Sequence, residues 1–137
     1  MVTKKKKHFF SFVVVLVTIV SILTGCVSPI MKLYYPTEQP NTKWISSDKR
    51  VCFFVGDKDD LKVTGYIMDG KQKITIRLSM SPMVTLIDVF QIDENKQENV
   101  IEIWVAKKVR KNFLIVEVKT STFFKEGQII VFDRYKL

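Results

Sequence analysis

An all-β fold, an antiparallel β-sandwich or small barrel of about seven strands, is predicted for residues 44–137. Short runs rich in Val, Ile, Phe and Tyr recur there with turn residues between them, and the clearest run alternates apolar and polar side chains with a period of two. No segment of the same region shows a helical period of useful length.

The elements follow in order. Residues 51–55, Val51-Cys52-Phe53-Phe54-Val55, form a short apolar strand. Runs 61–68 and 72–80 come next, joined through Asp69-Gly70, two residues that tolerate the positive φ of a type I′ hairpin turn. In 72–80, Ile74, Ile76, Leu78 and Met80 share one face, while Lys73, Thr75, Arg77 and Ser79 share the other. One side is core and the other is water. Further strands are expected at 83–92, 100–107, 112–119 and 128–135, separated by Ser81-Pro82, the polar stretch 93–99 and the basic stretch 108–111. A single turn after Thr122, stopped at Gly127, is the only helical feature expected. Residues 112–119 are apolar on both faces, Leu114, Val116 and Val118 on one and Phe113 and Ile115 on the other. Such a strand implies two sheets, a curled barrel or a loop laid over the outer surface.

Upstream of this domain the chain changes character. Lys4, Lys5, Lys6 and Lys7 precede an apolar run, 9–23, whose only polar residues are Ser11, Thr18 and Ser21. A transmembrane helix needs roughly 18–20 such residues, so the run is short for a span and fits the apolar region of a cleaved signal peptide. Residues 1–25 are therefore expected to be signal peptide. Residues 26–43, with Pro29, Pro36 and Pro40 among polar residues, read as a tether, part of which docks on the domain because it carries Met31, Leu33, Tyr34 and Tyr35.

Composition excludes several chemistries. The chain has 22 basic and 14 acidic residues, and the four lysines at 4–7 supply half of the net charge of +8. The only histidine, His8, lies in the expected signal peptide, which leaves the domain without imidazole for a catalytic triad, a general base or a histidine zinc site. Residues 44–137 hold one cysteine, Cys52, so no disulfide can close within the domain.

Candidate residues are few. Asp88, Glu102 and Glu117 lie on strands beside aromatic and aliphatic residues. Turned inward they would line a ligand cavity or pair as a hydrolase; turned outward they pair with lysines of neighbouring strands, which is the favoured expectation. The cluster Gly56-Asp57-Lys58-Asp59-Asp60 lacks the spacing and closing glutamate of a calcium loop and reads as a solvated turn. No metal site and no cofactor are expected. Cys52 reads as a small buried hydrophobe. Lys107, Lys108, Arg110 and Lys111 make the densest basic cluster, at a hairpin tip, suited either to edge protection or to contact with an anionic surface. Trp44 reads as a plug at one end of the core. Trp104 reads first as core and second, on a less buried face, as an anchor for a partner.

The sequence Leu23-Thr24-Gly25-Cys26, placed at the end of the apolar run, resembles the lipobox of bacterial lipoproteins, and the lysine-rich start suits a Gram-positive source. The tryptophan-led opening at Trp44, the glycine-containing hairpin Gly65 to Gly70 and the closing strand through Ile129 and Arg134 are similar to small Gram-positive lipoproteins with β-rich domains. The resemblance implies cleavage between Gly25 and Cys26 and diacylation of Cys26. It implies residence at the outer, extracytoplasmic face of the cell membrane, and it carries over no catalytic residue. The disulfides and inhibitory loop of lipoprotein lysozyme inhibitors are absent, and one domain is too small for a two-lobed solute-binding lipoprotein.

The function expected from sequence is thus a membrane-anchored, non-enzymatic binding domain. Its partners would be the lipid bilayer, through the acylated Cys26, and an envelope protein or anionic polymer. A monomer that does not bind nucleic acid is expected. A lipocalin-like carrier with an interior ligand cavity is the alternative, and a carboxylate hydrolase the third reading.

Overall fold

The computed structural model describes residues 29–137. Eight antiparallel strands close into an up-and-down barrel in sequence order: β1 (Thr42–Ser46), β2 (Val51–Val55), β3 (Val63–Asp69), β4 (Gln72–Ser81), β5 (Val84–Ile92), β6 (Glu98–Val109), β7 (Phe113–Ser121) and β8 (Ile129–Lys136). Each strand pairs with its sequence neighbour, and β1 pairs with β8, Thr42 opposite Lys136 and Ser46 opposite Phe132. Closure removes every sheet edge, and at eight strands the interior is just wide enough for side chains to fill. The expected all-β barrel is therefore correct, with one strand more than the seven foreseen.

The additional strand is β1. Its inward positions are Thr42, Trp44 and Ser46, so two of three are polar and the apolar alternation that marks a strand is missing. Both hydroxyls are satisfied locally. The Thr42 hydroxyl donates to the Gln39 carbonyl at 2.6 Å and accepts from Trp44 Nε1 at 2.9 Å. The Ser46 hydroxyl donates to Asp48 Oδ1 at 2.6 Å and accepts from the Val51 amide at 3.0 Å.

The barrel is filled along its axis by aromatic rings. Trp44 stacks on Phe53 with centroids 6.0 Å apart, Phe53 meets Phe132 edge-on at 5.1 Å, Phe132 meets Trp104 at 5.9 Å, and Trp104 meets Phe124 at 6.4 Å. Ring pairs at these separations add to their area burial. Around them Ile67, Ile76, Ile87, Val89, Leu114, Val116 and Val118 complete the core, each on the inward face of its strand. The inward face of β4 is the one its alternation indicates, and β7 buries Leu114, Val116 and Val118 while Phe113 and Ile115 lie half-buried outside.

Turn chemistry departs from the sequence expectation at one hairpin. Asp69 pairs with Gln72, so the loop residues are Gly70 and Lys71 rather than Asp69 and Gly70. Only Gly70 has positive φ (61°), and glycine in the first loop position is the pattern of a type II′ turn. No helix forms after Thr122; the connection makes a turn in which Gly127 takes φ 86° and Gln128 donates back to the Lys125 carbonyl.

The expected tether is described from Pro29 to Lys43. From Pro29 onward it is folded against the barrel as a short helix, α1 (Pro29–Tyr34), and a 3-10 turn, Pro36–Glu38. Tyr35 between them is fully buried, and Met31 and Tyr34 pack on the same core. The folded domain therefore begins well before Trp44, because Tyr35 supplies a ring that the barrel mouth needs.

Candidate functional site

Antiparallel pairing assigns every loop to one of two ends. Leu86 faces Val105, Thr64 faces Arg77, and Thr42 faces Lys136. The near end therefore collects the point where the chain joins β1, the β2–β3, β4–β5 and β6–β7 connections, and the carboxy terminus. The far end collects the β1–β2, β3–β4, β5–β6 and β7–β8 connections.

The far end is closed by a buried carboxylate. Glu102 is 0 % exposed on the inner face of β6. Its Oε2 accepts from the amides of Thr122 (2.6 Å) and Phe123 (3.2 Å), its Oε1 accepts from Trp104 Nε1 (3.2 Å), and the Ser121 hydroxyl lies 2.7 Å from both oxygens. Every partner is a donor, which suits an acceptor-only carboxylate. This knot draws the loop after β7 over the barrel mouth, where Phe123 and Phe124 pack on the core. Arg50 lies over the Phe124 ring at 4.5 Å and approaches the Phe123 carbonyl at 3.4 Å.

Glu102 thus departs from the expected outward acid paired with lysine, because four donors inside outweigh the cost of burying it. The bracing is visible in sequence only as a Ser-Thr pair ending a strand, too common a pattern to single out. Trp104 takes the core reading. Fully buried, it is withdrawn from the role of an outward anchor for a partner.

The other two acids follow the outward expectation. Asp88 faces outward between the buried Ile87 and Val89. Glu117 lies 2.8 Å from Lys119 Nζ and 3.3 Å from Lys107 Nζ, and these ammonium groups, Lys119 foremost, hold its carboxyl below the usual range. With one carboxylate inside and two outside, the three do not converge on a common point. Among the described residues no group of side chains could hold a metal ion. The Asp57 carboxylate instead accepts the amides of Asp59 and Asp60 at 3.0 and 2.8 Å, as in a solvated turn.

Cys52 is 2 % exposed on the outer side of β2, opposite Tyr66. Burial pushes its thiol pKa up, against weaker opposing effects of the Tyr66 side chain and of Lys43 and Lys73. A protonated, covered thiol is a poor nucleophile. A thiol reagent is expected to leave Cys52 unmodified in the native protein and to modify it once denaturant unfolds the barrel. Rapid labelling of the native protein at Cys52 would refute the assignment.

The near end gathers what could meet a partner. A β-bulge between Ala106 and Lys108 turns Lys107 and Lys108 both outward while Ala106 and Val109 stay buried. Lys107 is drawn to Glu117, so the basic tip is narrower than the sequence run suggests and consists of Lys108, Arg110 and Lys111. Arg110 Nη1 donates to the Val109 carbonyl at 2.8 Å, and Lys108 and Lys111 are exposed.

At the same end a groove of about 580 Å³ is lined by Pro29, Lys32, Leu33, Glu38, Pro82 and Met83. Leu33 is 64 % and Met83 65 % exposed, with Val84 and Leu86 continuing the apolar surface along β5. Tyr35 closes the mouth beneath them. Its hydroxyl is pushed well above the ordinary value by burial, with a smaller opposing effect of the Ser81 backbone.

No family model matches the chain, and neither the curated proteins nor the solved structures provide a match. Gly25 and Cys26, the expected cleavage and lipidation positions, lie outside the described residues. Among the described residues no helix is long and apolar enough to cross a membrane.

Proposed function

We propose that this chain is a membrane-anchored extracytoplasmic lipoprotein whose barrel serves as a non-enzymatic binding domain. The observation that carries the proposal is Leu23-Thr24-Gly25-Cys26 at the end of a lysine-led apolar run. Two acyl chains on Cys26, at about 0.8 kcal/mol per buried methylene, hold a small domain at a bilayer far more firmly than one chain does.

The surrounding features agree with a binding role. The axial stack from Trp44 to Phe124 occupies the space a carrier would give to its ligand, which counts against the lipocalin-like alternative. The dispersed carboxylates count against the hydrolase. The basic tip at Lys108, Arg110 and Lys111 suits an anionic polymer or an acidic protein of the envelope, with attraction that weakens as salt rises.

Cys26→Ala is expected to abolish incorporation of labelled fatty acid and to leave the unprocessed precursor. If the variant matures and still carries fatty acid, the lipoprotein assignment is wrong.

A further inference from the structure

We infer that the near end of the barrel rests directly on an anionic bilayer, with Leu33, Pro82, Met83 and Val84 entering the interface and the basic β6–β7 tip lying on the headgroups beside them. The inference deepens the lipoprotein reading and depends on it, since it takes Cys26 as the acylated residue.

Chain length supplies the first argument. Only two residues separate Cys26 from Pro29, where the described segment begins. Three Cα-to-Cα steps of 3.8 Å span at most about 11 Å. An acylated cysteine sits at headgroup depth, so Pro29 is held within about 11 Å of that level. Pro29 itself lines the groove with Leu33, Pro82 and Met83. Whatever faces the groove therefore faces the membrane.

Topology supplies the second. Because the chain joins the barrel at the near end, pairing returns the β4–β5 and β6–β7 tips to that same end. The most exposed apolar residues of the β4–β5 region, Met83 and Val84, and the cations Lys108, Arg110 and Lys111 are thereby presented together. Apolar side chains rimmed by lysine and arginine are the composition of an interfacial membrane contact, the apolar part entering the acyl boundary and the cations meeting anionic lipid. The near end also carries Glu38 and, in the β2–β3 connection, Asp57, Asp59 and Asp60, so the contact with anionic lipid falls to the β6–β7 tip. At the far end the exposed Ile129 stands among Lys49, Lys71, Lys96 and Lys125 interspersed with Asp69, Asp93, Glu94 and Glu126, with no comparable run of cations.

The test uses the full acylated chain reconstituted in vesicles of equal parts phosphatidylglycerol and phosphatidylcholine, with nitroxide groups on a fraction of the acyl chains. Met83→Cys and Asn95→Cys are each labelled with an environment-sensitive fluorophore; both positions are exposed, so neither change burdens the fold. Mass analysis of the Cys26 peptide is made on the same samples. An interfacial side chain lies roughly 5–10 Å into the headgroup boundary, whereas the far end stands about 25 Å away by the length of a tilted ten-residue strand.

The probe at 83 is expected to be blue-shifted and quenched at least about threefold more strongly than the probe at 95. Reversal of the three charges at Lys108, Arg110 and Lys111 is expected to reduce that difference. Acylated Cys26 with equal quenching at 83 and 95 overturns the membrane placement while leaving the lipid anchor in place. An unacylated Cys26 overturns the anchor and the placement with it. A photo-crosslink from position 83 to residues 9–23 of the same chain also overturns the placement, by showing that the chain's own apolar run fills the groove.

Discussion

Glu102→Ala is expected to destabilise the barrel by about 2–4 kcal/mol, a large part of the 5–15 kcal/mol that a domain of this size possesses. The change removes the only described acceptor of the Trp104 indole and one of two acceptors of each of the Thr122 and Phe123 amides, which keep the Ile101 carbonyl and the Ser121 hydroxyl. An orphaned buried donor costs about 1–3 kcal/mol in desolvation, and the fully buried Trp104 indole reaches water only if the 122–128 loop lifts off the mouth. Lifting that loop would withdraw Phe123 and Phe124 from the core and expose the end of the aromatic stack.

Glu102→Gln separates hydrogen bonding from simple size. The amide keeps one acceptor oxygen for the Thr122 and Phe123 amides but turns an NH2 toward the Trp104 indole, itself a donor. A smaller loss, about 1–2 kcal/mol, is expected. Denaturant unfolding followed by Trp fluorescence measures both variants, and hydrogen exchange of the Thr122 and Phe123 amides reports the loop. Alanine at position 102 costing less than about 1 kcal/mol, with those two amides still protected, would show that the carboxylate does not hold the end closed.

The parts of the fold visible in sequence are those where hydrophobic alternation and burial coincide. The inner faces of β4 and β7 could be read residue by residue because their apolar residues recur every second position, whereas the apolar outer residues Phe113 and Ile115 left two sheets, a barrel and a covering loop equally open. Strand β1 was obscured because two of its three inward residues are hydroxyl side chains bonded to nearby backbone and carboxylate partners. The placement of Glu102 was obscured because its donors come from β6 and from a loop about twenty residues away, a proximity that exists only after β6 and β7 pair. The bulge at Ala106 and Lys108 likewise breaks the period of two where a lysine pair would otherwise point one residue inward. Of the near-end surface, the basic run was legible as composition. Its position beside Leu33 and Met83 follows from strand pairing, which composition does not contain.

The same dependence on strand pairing makes Gly65 a sensitive backbone position in the barrel wall. Gly65 sits on β3 opposite Phe53 of β2 and Ile76 of β4, between the inward-facing Val63 and Ile67. A Cβ placed there would stand 2.0 Å from the Cys52 carbonyl oxygen and 2.7 Å from the Phe53 Cα, both backbone atoms that cannot rotate away. A glycine within a strand marks a tight bend or a close approach of another backbone, and here the approach is between hydrogen-bonded neighbours at the barrel wall. Gly65→Ala therefore has to push β2 and β3 apart, loosening their ladder and shifting Phe53 against Trp44 and Phe132. The expected cost is about 3 kcal/mol or more, at or above the upper end of ordinary overpacking. Gly70→Ala provides the contrast, since nothing lies within 4 Å of a Cβ there and the penalty is confined to its φ of 61°. About 1–2 kcal/mol is expected for that left-handed residue. Thermal unfolding of the two variants side by side decides the matter. A Gly65→Ala barrel as stable as Gly70→Ala would mean that β2 and β3 accommodate a methyl group between their backbones, contrary to the close approach on which the bend depends.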